Sequence, residues 1–179
     1  MLFGATDDFA IEAMLEPELK PGSAAWGRAR LWIQGVELGD YSREYCTLGV
    51  LYERMRKLEG DLEQLWSPDL EQLTDLALIN KLDGILYGYH GDVPVEDEYV
   101  DGRPWWKFNL LTNSGEMFDG IGKTFIFSPP GDEVFVLHRQ ASAVRRFKTT
   151  RAALRAAARP FVEWYAVENH KLNGAPLPK

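Results

Sequence analysis

The chain is poor in the residues that build disulfide scaffolds and metal centres. Cys46 is the single cysteine among 179 residues, so no internal disulfide can form, and a zinc ribbon, which needs several thiolates, is excluded. No run of about 18 apolar residues occurs, so no transmembrane helix is expected. The opening stretch "MLFGATDDFAIE" lacks the basic and apolar regions of a signal peptide. These absences predict a cytoplasmic protein that does not associate with membranes.

Sequence motifs for catalysis and cofactor binding are also scarce. His90, His138 and His170 stand singly, without an HxH, HExxH or Cys/His cluster, so no metal site is predicted. The stretch "DGIGKT" (119–124) ends like a phosphate-binding loop. However, Met117 occupies the position of the required first glycine, and the stretch leads into a predicted strand rather than a helix. No cofactor is therefore expected.

The composition is that of a folded domain with an uneven charge distribution. Apolar residues make up 45% of the chain and aromatic residues 12%, which predicts a single domain over 1–170 and a flexible tail over 171–179. Residues 1–102 contain 21 acids and 8 bases, whereas residues 103–179 contain 6 acids and 12 bases. The two halves can neutralise each other within the fold or present two faces to different partners, and the first explanation is the simpler one.

The N-terminal part has the pattern of strands joined by a tight turn. Apolar and polar residues alternate over 9–16 and again over 26–33, which predicts two strands with one buried face each. The dipeptide "QG" (34–35) predicts a two-residue hairpin turn before a short return strand at 36–38. Asp40 is expected to accept hydrogen bonds from local backbone amides in an Asx-type turn.

Helical periodicity begins after this hairpin. Apolar residues recur at three- and four-residue spacing over 48–58, which predicts a helix that ends near Gly60. The stretch "SPDLEQL" (67–73) predicts the start of a second helix, because Ser67 can cap it and proline suits the first turn. This second helix is expected to run towards Gly84.

The β pattern returns in the second half of the chain. Strands are predicted in "ILYGYH" (85–90), "WWKFNLLT" (105–112), "KTFIF" (123–127) and "EVFVLHR" (133–139), with "VRRFK" (144–148) as a further candidate. Thr149 or Thr150 is expected to cap a C-terminal helix, which Pro160 should kink or divide. The order of elements predicts an α+β fold: a single domain with a mainly antiparallel β-sheet, helices packed on one face and a C-terminal helix.

One acidic segment is a candidate binding surface. It reads "GDVPVEDEYVDG" (91–102), and acids interleaved with valine and tyrosine suit a surface that meets a basic protein partner. The candidate partner-binding residues are Asp92, Glu96, Asp97, Glu98, Tyr99 and Asp101. A solvated loop without a function is the alternative interpretation.

Two other features suggest different kinds of function. Arg151, Arg155 and Arg159 lie on one edge of the predicted C-terminal helix, which is the pattern of a weak nucleic-acid binder. The acidic total and a pI near 5.0 favour a salt-bridged face instead, so nucleic acid is not an expected partner. A pocket near His138 or Cys46 would indicate a small ligand-binding or enzymatic domain.

Several short motifs resemble a known family. In order and spacing, "MLFGATDDFAIE", "LWIQGVELGDY" and "TLGVLYERM" are similar to the N-terminal half of immunity protein family 42 from bacterial polymorphic toxin systems. The later stretches "MFDGIGKTFIF" and "EVFVLHR" resemble that family's Phe-Asp segment and its following hairpin.

The resemblance implies a non-enzymatic function, in which the protein binds and neutralises a cognate secreted toxin domain. Many toxin domains of such systems are nucleases, which are basic because their substrate is a polyanion. An acidic inhibitor would gain rapid, salt-sensitive association with such a partner. The expected mechanism is occlusion of the toxin's active site by the acidic surface. No binding residue transfers from the family by motif.

Overall fold

The structure, a computed structural model, describes residues 1–95 and 101–174. It contains ten strands and three α-helices. The strands are β1 (Leu2–Gly4), β2 (Phe9–Leu15), β3 (Trp26–Ile33), β4 (Val36–Leu38), β5 (Cys46–Thr47), β6 (Tyr89–His90), β7 (Val93–Pro94), β8 (Lys123–Phe127), β9 (Glu133–Gln140) and β10 (Ala143–Thr150). The helices are α1 (Leu48–Asp61), α2 (Asp75–Tyr87) and α3 (Arg151–Asn173).

All the strand pairs in the described residues are antiparallel, and they form three sheets. A five-stranded sheet has the order β1-β2-β3-β4, with β5 also pairing with β3. A three-stranded sheet has the order β10-β9-β8, and β6 pairs with β7 in a separate hairpin. The predicted α+β class with antiparallel pairing is confirmed, although its strands are divided among three sheets rather than gathered in one.

The turn between β3 and β4 forms where the sequence predicts it. Gln34 and Gly35 both have positive φ angles, 51° and 75°, as a tight two-residue hairpin turn requires. Ile33 then pairs with Val36, and on the other side of β3 Ile33 pairs with Phe9. The alternating pattern therefore fixes which face of this sheet is buried.

One hydrophobic core joins the five-stranded sheet to α1 and α3. Inward residues of β2 and β3, including Ile11 and Leu31, are fully buried and belong to the same cluster as Met55 of α1 and Phe161 of α3. Burial of each such side chain stabilises the fold by about 1.5–3 kcal/mol. α2 packs on the other sheet, against β9 and β10.

The outer face of the five-stranded sheet carries a network of paired charges, which we call the charge ladder. It consists of Glu12, Glu16, Arg28, Arg30, Glu37 and Glu44. Arg30 bonds Glu12 at 2.8 Å and Glu37 at 2.6 Å, and its guanidinium lies 4.6 Å from the centre of the Tyr41 ring. Each charge of the ladder therefore has a partner within it.

α3 starts where the sequence predicts and is not divided by its proline. The Thr150 hydroxyl accepts a hydrogen bond from the backbone N–H of Ala153 at 3.0 Å. The helix continues through Pro160 to Asn173, so the first three residues of the predicted tail, 171–173, are helical. Pro160 lies on the exposed side of the helix, where its ring meets solvent rather than the core.

Three predicted elements differ from the structure: the strand at 105–112, the helix start at 67–73 and the strand at 85–90. The stretch 105–112, predicted as a strand, begins in the 3₁₀ helix Arg103–Phe108, and only Asn109 makes a β-bridge, with Phe125. The stretch 67–73 forms only the single 3₁₀ turn Pro68–Leu70, and the Ser67 side chain does not make the predicted capping bond.

The start of α2 follows from a different cap. The Thr74 hydroxyl accepts a hydrogen bond from the N–H of Ala77 at 3.3 Å, so the helix begins at Asp75. It ends at Tyr87 and is capped by Gly88, whose φ of 74° is the left-handed conformation common at a helix C-terminus. The strand predicted from residue 85 is thus reduced to Tyr89–His90. Within the described ranges, no helix is long and apolar enough to cross a membrane.

Candidate interaction surface

The β6–β7 hairpin folds back over α2, immediately after that helix ends. Its turn is fixed to the helix by the N–H of Gly91, which donates to Asp83 Oδ2 at 3.0 Å. Gly84 permits the close approach, because a Cβ atom there would lie only 3.0 Å from Nε2 of His90. The hairpin is therefore held against the helix by specific contacts.

A buried ion pair connects this hairpin to the three-stranded sheet. Asp83 is fully buried, and its Oδ2 accepts a hydrogen bond from Nη1 of Arg139 at 3.1 Å. Arg139 of β9 is itself buried and also donates to Asn80 of α2. Asp83 thus holds the hairpin turn and the sheet at the same carboxylate, which preorganises the hairpin for binding.

Large apolar side chains are exposed on this hairpin and on the adjoining helix. The exposed fractions are 66% for Val93, 44% for Tyr89 and 55% for Leu76 of α2. Val93 and Leu76 line the same open cleft of about 330 Å³, together with Asp92. We call Leu76, Asp92 and Val93, which line this cleft, the hairpin surface. Val93 pairs with His90, whereas Tyr89 pairs with Pro94, so Tyr89 lies on the other face of the hairpin. Exposed apolar groups beside an acid are typical of protein-binding sites.

The predicted partner-binding residues fall into three groups: one exposed, one paired, and one outside the described residues. Asp92 is exposed in the hairpin surface, and no ion pair of residues 1–95 and 101–174 involves it. Asp101 pairs with Arg103 at 2.8 Å, and hydrogen bonds from Arg103 lower the pKa of that carboxyl. Glu96, Asp97, Glu98 and Tyr99 lie outside the described residues. Asp92 is thus the one of these acids whose charge the described structure leaves available.

Sequence reasoning missed the exposure of Leu76 in the hairpin surface and that of Tyr89 on the other face of the hairpin. Leu76 lies in the helical pattern that predicts burial, yet it is exposed. Tyr89 was expected within a strand of six residues, whereas it begins a two-residue strand at the surface. The left-handed glycine at position 88 is the signal that could have located this hairpin, because it ends the helix there.

The residues of the alternative enzymatic interpretation do not meet. Cys46 is buried on β5, its Sγ donates to the carbonyl oxygen of Arg43 at 3.4 Å, and burial raises the pKa of the thiol. A nucleophilic cysteine needs the opposite shift. His138 lies on β9 of the other sheet, where Nδ1 is 2.9 Å from Oγ1 of Thr124, and it lines an open cleft of about 280 Å³. Burial lowers the pKa of His138, and Arg145 lowers it further.

The arginine edge of α3 is occupied by acids of neighbouring elements. Arg155 pairs with Glu63 at 2.7 Å, and Arg159 pairs with Glu59 at 2.7 Å. Nε of Arg151 donates to Oγ of Ser128 at 2.7 Å. This agrees with the interpretation of the edge as a salt-bridged face. In the part of the chain that the structure describes, no group of three or more His, Cys, Asp or Glu residues is arranged to hold a metal ion.

Comparison with known proteins gives the class and the family. A family model for immunity proteins matches residues 1–159, which places the chain among the proteins that neutralise toxins. Within that class, the chain belongs to the Immunity protein 42 family, Imm42. The resemblance carried by the sequence motifs is thereby confirmed, and the family implies a cognate toxin as the partner.

The fold has a counterpart among solved structures. It is similar to the crystal structure of CdiI from Burkholderia dolosa AUO158, with a TM-score of 0.63 and 13% sequence identity. The similarity covers 90% of this chain and 98% of that chain, and at this identity it concerns the fold alone. No curated protein matches the chain.

Proposed function

We propose that this immunity protein neutralises its toxin by covering the toxin's active site with the hairpin surface. In this proposal the acidic residues Asp92, Glu96, Asp97, Glu98 and Asp101, together with Tyr99, meet a basic toxin domain in the cytoplasm. The protein acts by binding and carries out no catalysis of its own.

The observation that carries the proposal is a hairpin anchored by buried contacts and bearing exposed apolar side chains. Val93 and Leu76 are exposed in one cleft, while the turn of the hairpin is fixed through Asp83 to Arg139. Protein interfaces obtain most of their binding energy from a few such side chains when these become fully desolvated. Preorganisation reduces the conformational entropy that is lost on binding.

Asp92 contributes in a different way. Its carboxylate is exposed beside the apolar residues, so it attracts a basic partner before contact is made. Such a charge is expected to increase the association rate more than the final affinity, and this effect weakens as salt is added.

The test measures binding of the toxin domain encoded immediately upstream to matched pairs of variants. Val93→Arg is compared with Val167→Arg, since Val167 is also an exposed valine but lies on α3. Val93→Arg should raise Kd at least about 30-fold, equivalent to a hot spot of about 2 kcal/mol, because it places a cation against a basic partner. Val167→Arg should leave Kd unchanged, and equal affinities for the two variants would contradict the proposal.

The electrostatic and occlusion parts have their own readouts. Asp92→Lys should slow association at low salt, whereas Asp132→Lys, at another exposed acid, should not.

Occlusion further requires that the toxin's substrate compete with the immunity protein for the toxin. Survival of co-expressing cells without any physical complex would rule out this mechanism.

A further inference from the structure

A second groove lies between α1 and the segment 106–114. It has a volume of about 480 Å³ and separates the middle of α1 from residues 106–114. The lining residues used below are Val50, Arg54, Lys57, Trp106 and Lys107. None of them belongs to the hairpin surface.

Arg54 is a cation at this groove that forms no ion pair with a carboxylate of the described part of the chain. Its Nη2 donates to the carbonyl oxygen of Lys107 at 2.7 Å, and its Nε is buried with no hydrogen-bond partner among residues 1–95 and 101–174. No ion pair between described residues includes Arg54. Burial lowers the pKa of Arg54 to about 10, and the charge of Asp61 offsets part of that effect. A guanidinium in this state gains free energy when an anion approaches it.

The groove is a positive site on an acidic protein. Lys57 and Lys107 add two further cations to that of Arg54. The acids that line it are Asp61 and Glu53, and Glu53 is paired with Arg56 at 2.8 Å. The groove therefore has one more cation than acids in its lining, on a chain whose net charge is −7.

Apolar groups flank the cations. Trp106 is 43% exposed and Val50 is 41% exposed, and both line the groove. The Trp106 ring meets the edge of Tyr87 with a centroid distance of 5.7 Å and an interplanar angle of 83°, which fixes its position. Tryptophan and arginine are the residues most enriched at interface hot spots.

We propose that this groove binds a carboxylate-bearing segment of the toxin domain, with the carboxylate at Arg54 and Lys57 and an apolar side chain against Trp106. The inference rests on the proposed function for the identity of the partner, but it assigns a different contact of opposite charge. Tyr87, which holds Trp106, is the last residue of α2, and the hairpin begins two residues later. One partner can therefore reach both sites.

The experiment reverses one charge in the groove and one outside it. Lys57→Glu and Lys20→Glu change the net charge equally, and both lysines are exposed with no ion pair between described residues, but only Lys57 lines the groove. With the toxin domain as the probe, Lys57→Glu should raise Kd about tenfold or more, because it places a carboxylate against a carboxylate. Lys20→Glu should leave Kd unchanged.

Two further measurements make the outcome decisive. Trp106→Ala should also raise Kd about tenfold without changing the net charge, while circular dichroism verifies that the variant is folded. If Lys57→Glu and Trp106→Ala bind the toxin domain like the wild type, the inference is wrong, even when Val93→Arg abolishes binding and the proposed function stands. If instead Val93→Arg binds like the wild type while Lys57→Glu and Trp106→Ala bind weakly, the proposed function is wrong and the assignment of the groove as a toxin-binding site stands.

A last measurement separates a protein partner from a nucleic acid. Fluorescence anisotropy with a labelled single-stranded oligonucleotide of about 20 nucleotides should show no binding at physiological salt. Binding that Lys57→Glu abolishes would assign the groove to phosphate groups and overturn the carboxylate assignment.

Discussion

The charge ladder and the hairpin surface use similar residue types in opposite ways. In the ladder, Arg28 and Arg30 are shared among four glutamates, and Trp32 donates its indole N–H to Glu12 at 3.0 Å. In the hairpin surface, Asp92 has no ion pair among the described residues and its apolar neighbours face solvent. The comparison shows that the groups of the ladder are already bound to one another, whereas those of the hairpin surface are left available to a partner.

A shared residue, Asp83, links stability with binding. The variant Asp83→Ala leaves Arg139 buried without its ion-pair partner and releases the hairpin turn at Gly91. We expect the free energy of unfolding to fall by about 3–5 kcal/mol, as for other broken buried pairs. Chemical denaturation measures this change. A loss below 1 kcal/mol would mean that the pair does not anchor the hairpin, and about 1 kcal/mol is what an ordinary substitution costs.

The charge ladder should affect stability but not toxin binding. Glu16 accepts bonds from Arg28 at 2.9 Å and from the N–H of Tyr45 at 3.2 Å. Glu16→Gln should cost about 1–3 kcal/mol, because a charged hydrogen-bond acceptor is replaced by a neutral one. Denaturation together with toxin binding tests this, and a weaker complex with unchanged stability would place the ladder in the interface.

The same glutamate predicts how stability varies with pH. The hydrogen bond from Arg28 outweighs burial and lowers the pKa of Glu16 below its ordinary value of 4.5. A lowered folded-state pKa contributes stability above the unfolded pKa, and this contribution is lost as the pH falls through the folded value. The free energy of unfolding should therefore decrease below about pH 4.5, and less steeply in Glu16→Gln than in the wild type.

The smallest effect is expected at the turn that ends the β3–β4 hairpin. Asp40 Oδ1 accepts bonds from the N–H and the hydroxyl of Ser42 at 3.0 and 2.6 Å, which confirms the predicted Asx-type turn. Asp40→Asn keeps this oxygen but weakens both bonds, so Tm should fall slightly while toxin affinity stays the same. A calorimetric scan and a binding titration measure the two quantities, and a loss of affinity would contradict the assignment.

The N-terminal strands could be predicted because the residues that define them are close together in the sequence. Alternation over 26–33 and the Gln34–Gly35 turn involve residues close in sequence, and the structure follows both. The prediction of a strand over 105–112 was wrong because it relied on the preference of tryptophan and phenylalanine for strands. In the structure Trp105 and Phe108 instead pack together at a spacing of three residues, with ring centres 5.9 Å apart, as a 3₁₀ helix allows.

The candidate site was only partly predictable. Asp92 was found because acids cluster in its segment, whereas the exposure of Leu76 depends on where the hairpin folds back over α2. That arrangement relies on the long-range pair between Asp83 and Arg139, which no local pattern encodes. The groove at Arg54 depends in the same way on a carbonyl group 53 residues away.

The enclosed thiol of Cys46 has a practical consequence for mapping this interface. It is the chain's single cysteine, it is 1% exposed, and its raised pKa keeps it protonated at neutral pH. Maleimides are attacked by thiolates rather than by protonated thiols, so the native protein should react very slowly. A cysteine introduced at Val93 or Lys57 would then be the one rapidly labelled position, and a fluorophore or photo-crosslinker placed there would report directly on which surface the toxin covers.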